Sequence, residues 1–272
     1  SQVFRPSGLL LHANIFGIYQ ATVLPFIIGT FLISKHPLYR LFLIIAVLMG
    51  TVGLLLSQSR AAWVSFALAF VLLFTLMMMH RRLARQVLLA AVGSSIALIV
   101  ALALFSDRIL KRLFSSKNDA TVGREVFLSD FYRLISDHWM FGTGLNSYTA
   151  AVEPYLSFSI SVYDNWVPPV HNIYYLWWGE TGVLGFLLYM AFWAGIIWKA
   201  IQNIKTDNDT LFVINAACLA AMLGFFFDGF LGFALRVNQP QRIFFFIGAL
   251  VFAIHYSQFS KPIQTTTSRP PL

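Results

Sequence analysis

The chain has 272 residues, of which 58% are hydrophobic and only 11% charged, with a formal net charge of +8. Soluble domains carry about 25% charged residues, so a water-facing globule is excluded: the apolar surface is more than a fold of this length could bury. Cys218, the single cysteine, falls in an apolar run, which excludes an internal disulfide and a cysteine-based metal site. The basic residues form no patch with interleaved aromatics outside the turns that flank apolar runs, so nucleic acid is not an expected partner.

Crossing a bilayer takes about 20 apolar residues. Runs of that kind fall at 8–33, 38–56, 61–79, 86–105, 172–198, 210–228 and 242–257, and Pro25 predicts a kink in the first. The expectation is an all-α polytopic membrane protein with about seven transmembrane helices. Four fall in 1–105, a long polar loop occupies 106–171, three more fall in 172–257, and the Pro- and Thr-rich tail over 258–272 reads as disordered. The chain starts at Ser1 with no basic leader or cleavage site, and is expected to be the C-terminal part of a longer protein.

Lys35, Arg40, Arg81, Arg82, Arg85, Lys199, Lys205, Lys261 and Arg269 fall on one side of these runs, against Arg5, Arg60, Arg236 and Arg242 in the short segments of the other. Cytoplasmic connections carry the excess of Lys and Arg, which places the first set in the cytoplasm and the long loop on the outer face. HRRLAR at 80–85 is the strongest anchor, with binding of anionic lipid head groups as its functional alternative.

The loop carries thirteen of the thirty charged Lys, Arg, Asp and Glu side chains. A helix is expected over 124–138. Phe127, Phe131, Leu134, Ile135 and His138 recur on one face, which should rest on the membrane, and Asp130, Arg133 and Asp137 form a solvated face. Arg124 shares a side with Leu128, Phe131 and Ile135. The helix ends at MFGTGLNSY, where Gly142 and Gly144 read as a tight turn rather than a phosphate cradle.

Candidate site residues gather toward the outer side. Arg60 opens the third run, where a guanidinium either snorkels to the interface or faces a polar cavity. His171 follows Pro168 and Pro169 at the start of the fifth run, where the positive end of the helix disfavours imidazolium and leaves a neutral ring able to accept a proton. Asn172 beside it reads first as a helix cap. Glu180 is the acidic residue well inside an apolar run. On a continuous helix it would lie about 13 Å deeper than His171, so a bond to a neighbouring helix is the expected role. His12 and Asn14 lie at the outer end of the first run.

Two guanidiniums, Arg60 and Arg124, suit a lipid diphosphate: each can grip phosphate oxygens in bidentate fashion and stabilise the charge that grows on a departing diphosphate. His171 as the catalytic base can take the proton of an attacking hydroxyl. The loop has no D-x-D pair to hold a divalent cation, so the scheme needs neither metal nor cofactor.

At these residues the chain resembles the O-antigen ligase and O-antigen polymerase superfamily of bacterial envelope glycosyltransferases. The matching stretches are RPSGLLLHANIFGIY at 5–19, GLLLSQSRAAWVSFALAFVLL at 53–73, GRE at 123–125 and HNIYYLWWGETGVLGF at 171–186. The resemblance implies a GT-C-like fold and metal-independent, inverting transfer of a glycan from an undecaprenyl-diphosphate carrier to an acceptor hydroxyl on lipid A core, a second lipid-linked glycan or a protein. It also implies an inner-membrane location with the loop in the periplasm, Arg60 and Arg124 on the diphosphate, and His171 on the acceptor; Asn172, Glu180, His12 and Asn14 are candidate supporting residues from their positions alone. The family often has His-Pro-Asn where this chain reads His12-Ala13-Asn14. A membrane transporter or solute-binding protein is the alternative from another class. Such proteins place ionisable groups and broken helices near the bilayer midplane, whereas here charge concentrates in the loop.

Overall fold

A computed structural model describes residues 7, 8, 10, 12–80, 82–84, 87, 88, 118–157 and 169–259, with backbone alone at 118–124 and 259. Among the described residues the long helices are α1 (Ala13–Ile33), α2 (Pro37–Leu56), α3 (Arg60–Met79), α4 (Asn118–His138), α5 (Ile173–Asn203), α6 (Asp209–Gly229) and α7 (Asn238–Phe259), and no strand occurs. The fold is thus an all-α polytopic membrane protein. Among the described residues five helices, α1, α2, α3, α5 and α6, are long and apolar enough to cross a membrane. The expected count of about seven differs for two reasons. The expected span at 86–105 lies outside the described residues. The last one exists as α7, but Asn238, Gln239, Gln241 and Arg242 dilute the apolar character of its first turns.

Starts of helices follow their sequence signals. Pro37 takes the first turn of α2, and the Ser59 hydroxyl accepts the Ala62 N–H at 3.4 Å at the head of α3. Asn208 accepts the N–H groups of Thr210 and Leu211 at 3.0 and 3.1 Å to start α6.

The bundle is built around α6, which packs along α1 and α3. Its Ala216, Ala217, Ala220 and Ala221 are all buried, and small residues of this kind let membrane helices approach closely. Gly224 meets the Ser65 carbonyl and Ala69 of α3, so the end of α6 lies beside the start of α3. Gly17 of α1 approaches Ser57, Ser59 and Ala62, which brings the start of α1 to that same end. On the other flank Trp193 of α5 packs against Phe244 of α7, the rings tilted by 37° with centroids 3.9 Å apart.

At the opposite end, buried amides close the bundle. Asn203 Nδ2 donates to Asn215 Oδ1 at 3.2 Å and to the Val251 carbonyl at 3.0 Å, and Asn215 Nδ2 donates to the Ala200 carbonyl at 2.8 Å. Each bond spares a polar group the cost of burial without a partner. Asp209 there lies 3.7 Å from both Arg82 and His80. α7 reaches this end, where His255 Nδ1 lies 3.0 Å from Asn203 Oδ1.

α5 is not one rod. Gly182 has φ 67° and ψ 177°, outside helical geometry, and divides it into 173–181 and 183–203. Trp177 and Tyr189, about 18 Å apart along an unbroken helix, bring their ring centroids within 4.3 Å. The chain therefore folds sharply at Gly182.

Candidate functional site

The helix α4 lies along the first half of α5. Phe127, Phe131, Leu134 and Ile135 are buried, which is the face expected from their spacing. That face does not rest on lipid: Phe131 meets Tyr175 at 4.9 Å and Trp178 at 6.0 Å between ring centroids. Of the three residues expected to be solvated, Arg133 and Asp137 are exposed. Asp130 is instead buried and accepts hydrogen bonds from the Ser157 N–H and hydroxyl at 3.1 and 2.5 Å. Beside Asp130, burial and then that carboxylate hold the Tyr148 phenol well above its ordinary range. The Tyr155 phenol is raised as well, first by its 2.7 Å bond to Asp137.

The turn after α4 docks into the break in α5. Val183 N–H donates to the Trp139 carbonyl at 2.9 Å, so it no longer serves the Gly179 carbonyl one helical turn back. Thr143 N–H takes that carbonyl at 2.9 Å, and Gly144 N–H takes the Glu180 carbonyl at 2.9 Å. The loop thus supplies donors where the helix stops supplying its own. Two glycines make this approach possible. A Cβ at Gly142 (φ 68°) would lie 2.5 Å from the Glu180 carbonyl, and one at Gly182 would run into the Met140 carbonyl.

At the loop end of the bundle the expected residues fall into place as follows. Arg60 is the first residue of α3, exposed and without a hydrogen bond or ion pair among the described residues. Asn172 caps α5, accepting the N–H groups of Tyr174 and Tyr175 at 2.9 and 3.2 Å, and its Nδ2 reaches toward the Phe230 carbonyl at 3.5 Å, just past the end of α6. His171 precedes it. Its ring stacks on Phe127 of α4 at 6.2 Å and meets Phe233 edge-on at 5.2 Å. Arg124 lies on α4 one turn before Phe127, with its side chain outside the described residues. His12 caps α1 by accepting the Asn14 N–H at 3.1 Å, so both stand at the same end.

Glu180 makes the bond to a neighbouring element that was expected of it, but not at the expected depth. It is not deep in the bundle, because the fold at Gly182 leaves it at the loop end, where its carboxylate pairs with Arg236 Nη2 at 3.0 Å. Arg236 belongs to the short 3-10 helix Ala234–Arg236 between α6 and α7. The same nitrogen donates to Asn146 Oδ1 at 2.5 Å. Sequence reasoning counted Arg236 only as an outer-side charge, and Asp228 it passed over. Asp228 is buried at the loop end of α6, and its carboxylate makes no hydrogen bond among the described residues.

An apolar groove of about 450 Å³ runs between α5 and the end of α6, lined by Tyr174, Phe186, Met190, Trp193, Phe226 and Phe230. Among the described residues, no three His, Cys, Asp or Glu side chains come together as a metal site. Arg60 and His171 thus stand at the starts of two helices that both adjoin the end of α6, α4 reaches His171 through Phe127, and neither Arg60 nor His171 lines the groove.

A protein-family model described as O-antigen ligase matches residues 44–190, more than half of the chain. The match takes in Arg60, Arg124, His171, Asn172 and Glu180 and stops short of Asp228 and Arg236. A comparison with curated proteins gives no match.

Proposed function

The chain belongs to the O-antigen ligase family, and from that premise we propose that it transfers a glycan from an undecaprenyl-diphosphate carrier to an acceptor hydroxyl. The reaction takes place at the outer face of the bacterial inner membrane. In this reading 1–105 and 172–257 are membrane domains and 106–171 is a periplasmic catalytic loop. The observation that carries the site is the common placement of Arg60 and His171. They open α3 and α5 at one end of the bundle, with the end of α6 adjoining both helices and α4 reaching His171 through Phe127.

Arg60 and Arg124 hold the diphosphate oxygens, and the apolar groove takes part of the lipid. The acceptor oxygen attacks the anomeric carbon from the face opposite the diphosphate and gives its proton to His171. The bond between the anomeric carbon and the diphosphate oxygen breaks, its electron pair leaves on the lipid diphosphate, and the anomeric configuration inverts. Two guanidiniums supply the positive charge that the leaving group requires, so the scheme calls for no divalent cation. Lipid A core, a second lipid-linked glycan and a protein hydroxyl are the acceptor classes.

The test uses full-length protein in membranes with chelator, a defined undecaprenyl-diphosphate glycan and each acceptor in turn. His171→Ala is expected to lower kcat by about 100-fold or more, and Arg60→Ala and Arg124→Ala to abolish transfer at unchanged protein level. Transfer that survives all three substitutions would sink the assignment. Activity that disappears with chelator would sink the metal-free scheme.

A further inference from the structure

We propose that Arg236 is a positioning residue: through Glu180 and Asn146 it latches the outer loop onto the break in α5 and so sets where α4 stands relative to His171. The latch rests on the reading of His171 and Arg124 given above.

Three segments far apart in the chain meet at one nitrogen. Arg236 Nη2 comes from the connection between α6 and α7, Glu180 from α5, and Asn146 from the turn after α4. Glu180 is only 3% exposed, and Arg236 is its charged partner among the described residues. Taking away one member of such a pair leaves an uncompensated buried charge. Asn146 sits at φ 63°, a left-handed backbone conformation in which Asn is enriched.

The turn it belongs to is tied to α5 by the Thr143 and Gly144 N–H groups, and tied to α4 by the Gly142 N–H, which donates to the His138 carbonyl at 2.8 Å. One end of α4 is thereby anchored at the latch. Farther back along α4, near its middle, Phe127 meets the His171 ring. An opened latch frees the anchored end, and the helix that carries Arg124 loses its register on α5. Displacements of about 1 Å suffice to cost about 100-fold in rate when they misplace reacting groups.

The experiment uses the full chain in membranes with Thr143→Cys as a reporter, because Cys218 is the single cysteine of this sequence and is buried. Arg236→Gln, Glu180→Gln, Asn146→Ala and Arg236→Lys are compared for maleimide labelling at position 143 and for kcat and KM of the donor. Labelling is expected to rise about tenfold in Arg236→Gln and Glu180→Gln as the turn opens. kcat should fall about 10- to 100-fold with little change in donor KM, and Arg236→Lys should recover part of both. Labelling unchanged by both Gln substitutions overturns the latch, whatever the activity. Raised labelling with wild-type kcat overturns the positioning role. If Arg236→Gln fails to reach the membrane, Asn146→Ala carries the test, since that side chain is exposed. Transfer that survives Arg60→Ala and His171→Ala overturns the reading the latch rests on, and labelling at position 143 then decides separately whether the latch exists.

Discussion

Gly182 concentrates much of the local logic in one residue. Its φ of 67° with ψ of 177° lies in a region open essentially to glycine alone, and its missing Cβ makes room for the Met140 carbonyl. Gly182→Ala is expected to cost about 1–3 kcal/mol in backbone strain before the clash is counted. A lower thermal midpoint, with raised labelling at Thr143→Cys, would register it. Tyr148 offers a pH test. Its phenol is raised above the ordinary value near 10, so the stability it contributes is fully present below pH 10 and is lost as pH rises through the higher folded value. Loop protection from protease should be flat from about pH 7 to 9 and fall in strong alkali, and Tyr148→Phe should lessen that fall, leaving the part that Tyr155 contributes. Asn172 as a cap was readable from the sequence, because capping depends on neighbours two and three residues on. Arg236 as the partner of Glu180 was not, because the two are 56 residues apart and nothing local marks the pair.

Among the elements, α4 shows what periodicity can and cannot reveal. The spacing of Phe127, Phe131, Leu134 and Ile135 identifies a helix and its buried side. It is silent on what covers that side, and the cover is the aromatic start of α5 rather than lipid. Phe131→Ala should therefore cost about 3–5 kcal/mol, as in a protein core, with loss of the α4–α5 contact seen as faster proteolysis of the loop. A side chain resting on lipid would cost far less. Asp130 misled for a related reason: its i+3 and i+7 charges suggested a wet face, while its true partner, Ser157, is reached only by the chain's return. In α5, hydropathy averages over the fold at Gly182, since both halves are apolar.

At the scale of the molecule, membrane class and most helix positions were legible because long apolar runs constrain the chain directly. The placement of Arg60 and His171 at one end was legible from orientation alone, whereas the polar closure by Asn203 and Asn215 needed the fold. Orientation has its own test. An impermeant maleimide should label Leu145→Cys, an exposed loop position, in intact cells, and Lys205→Cys only after permeabilisation. The reverse pattern would overturn the periplasmic placement of the loop.

The fold at Gly182 also sets a length. Residues 183–203 at about 1.5 Å each span about 31 Å, close to the roughly 30 Å of a bilayer's hydrocarbon core. A helix matched so closely answers a thinner bilayer by tilting. The Gly182 end of this helix is hydrogen-bonded to the loop turn through Val183 and Trp139, so tilt is expected to reach α4. Bilayer thickness is thereby expected to act as a mechanical input to the candidate site, delivered through a single glycine.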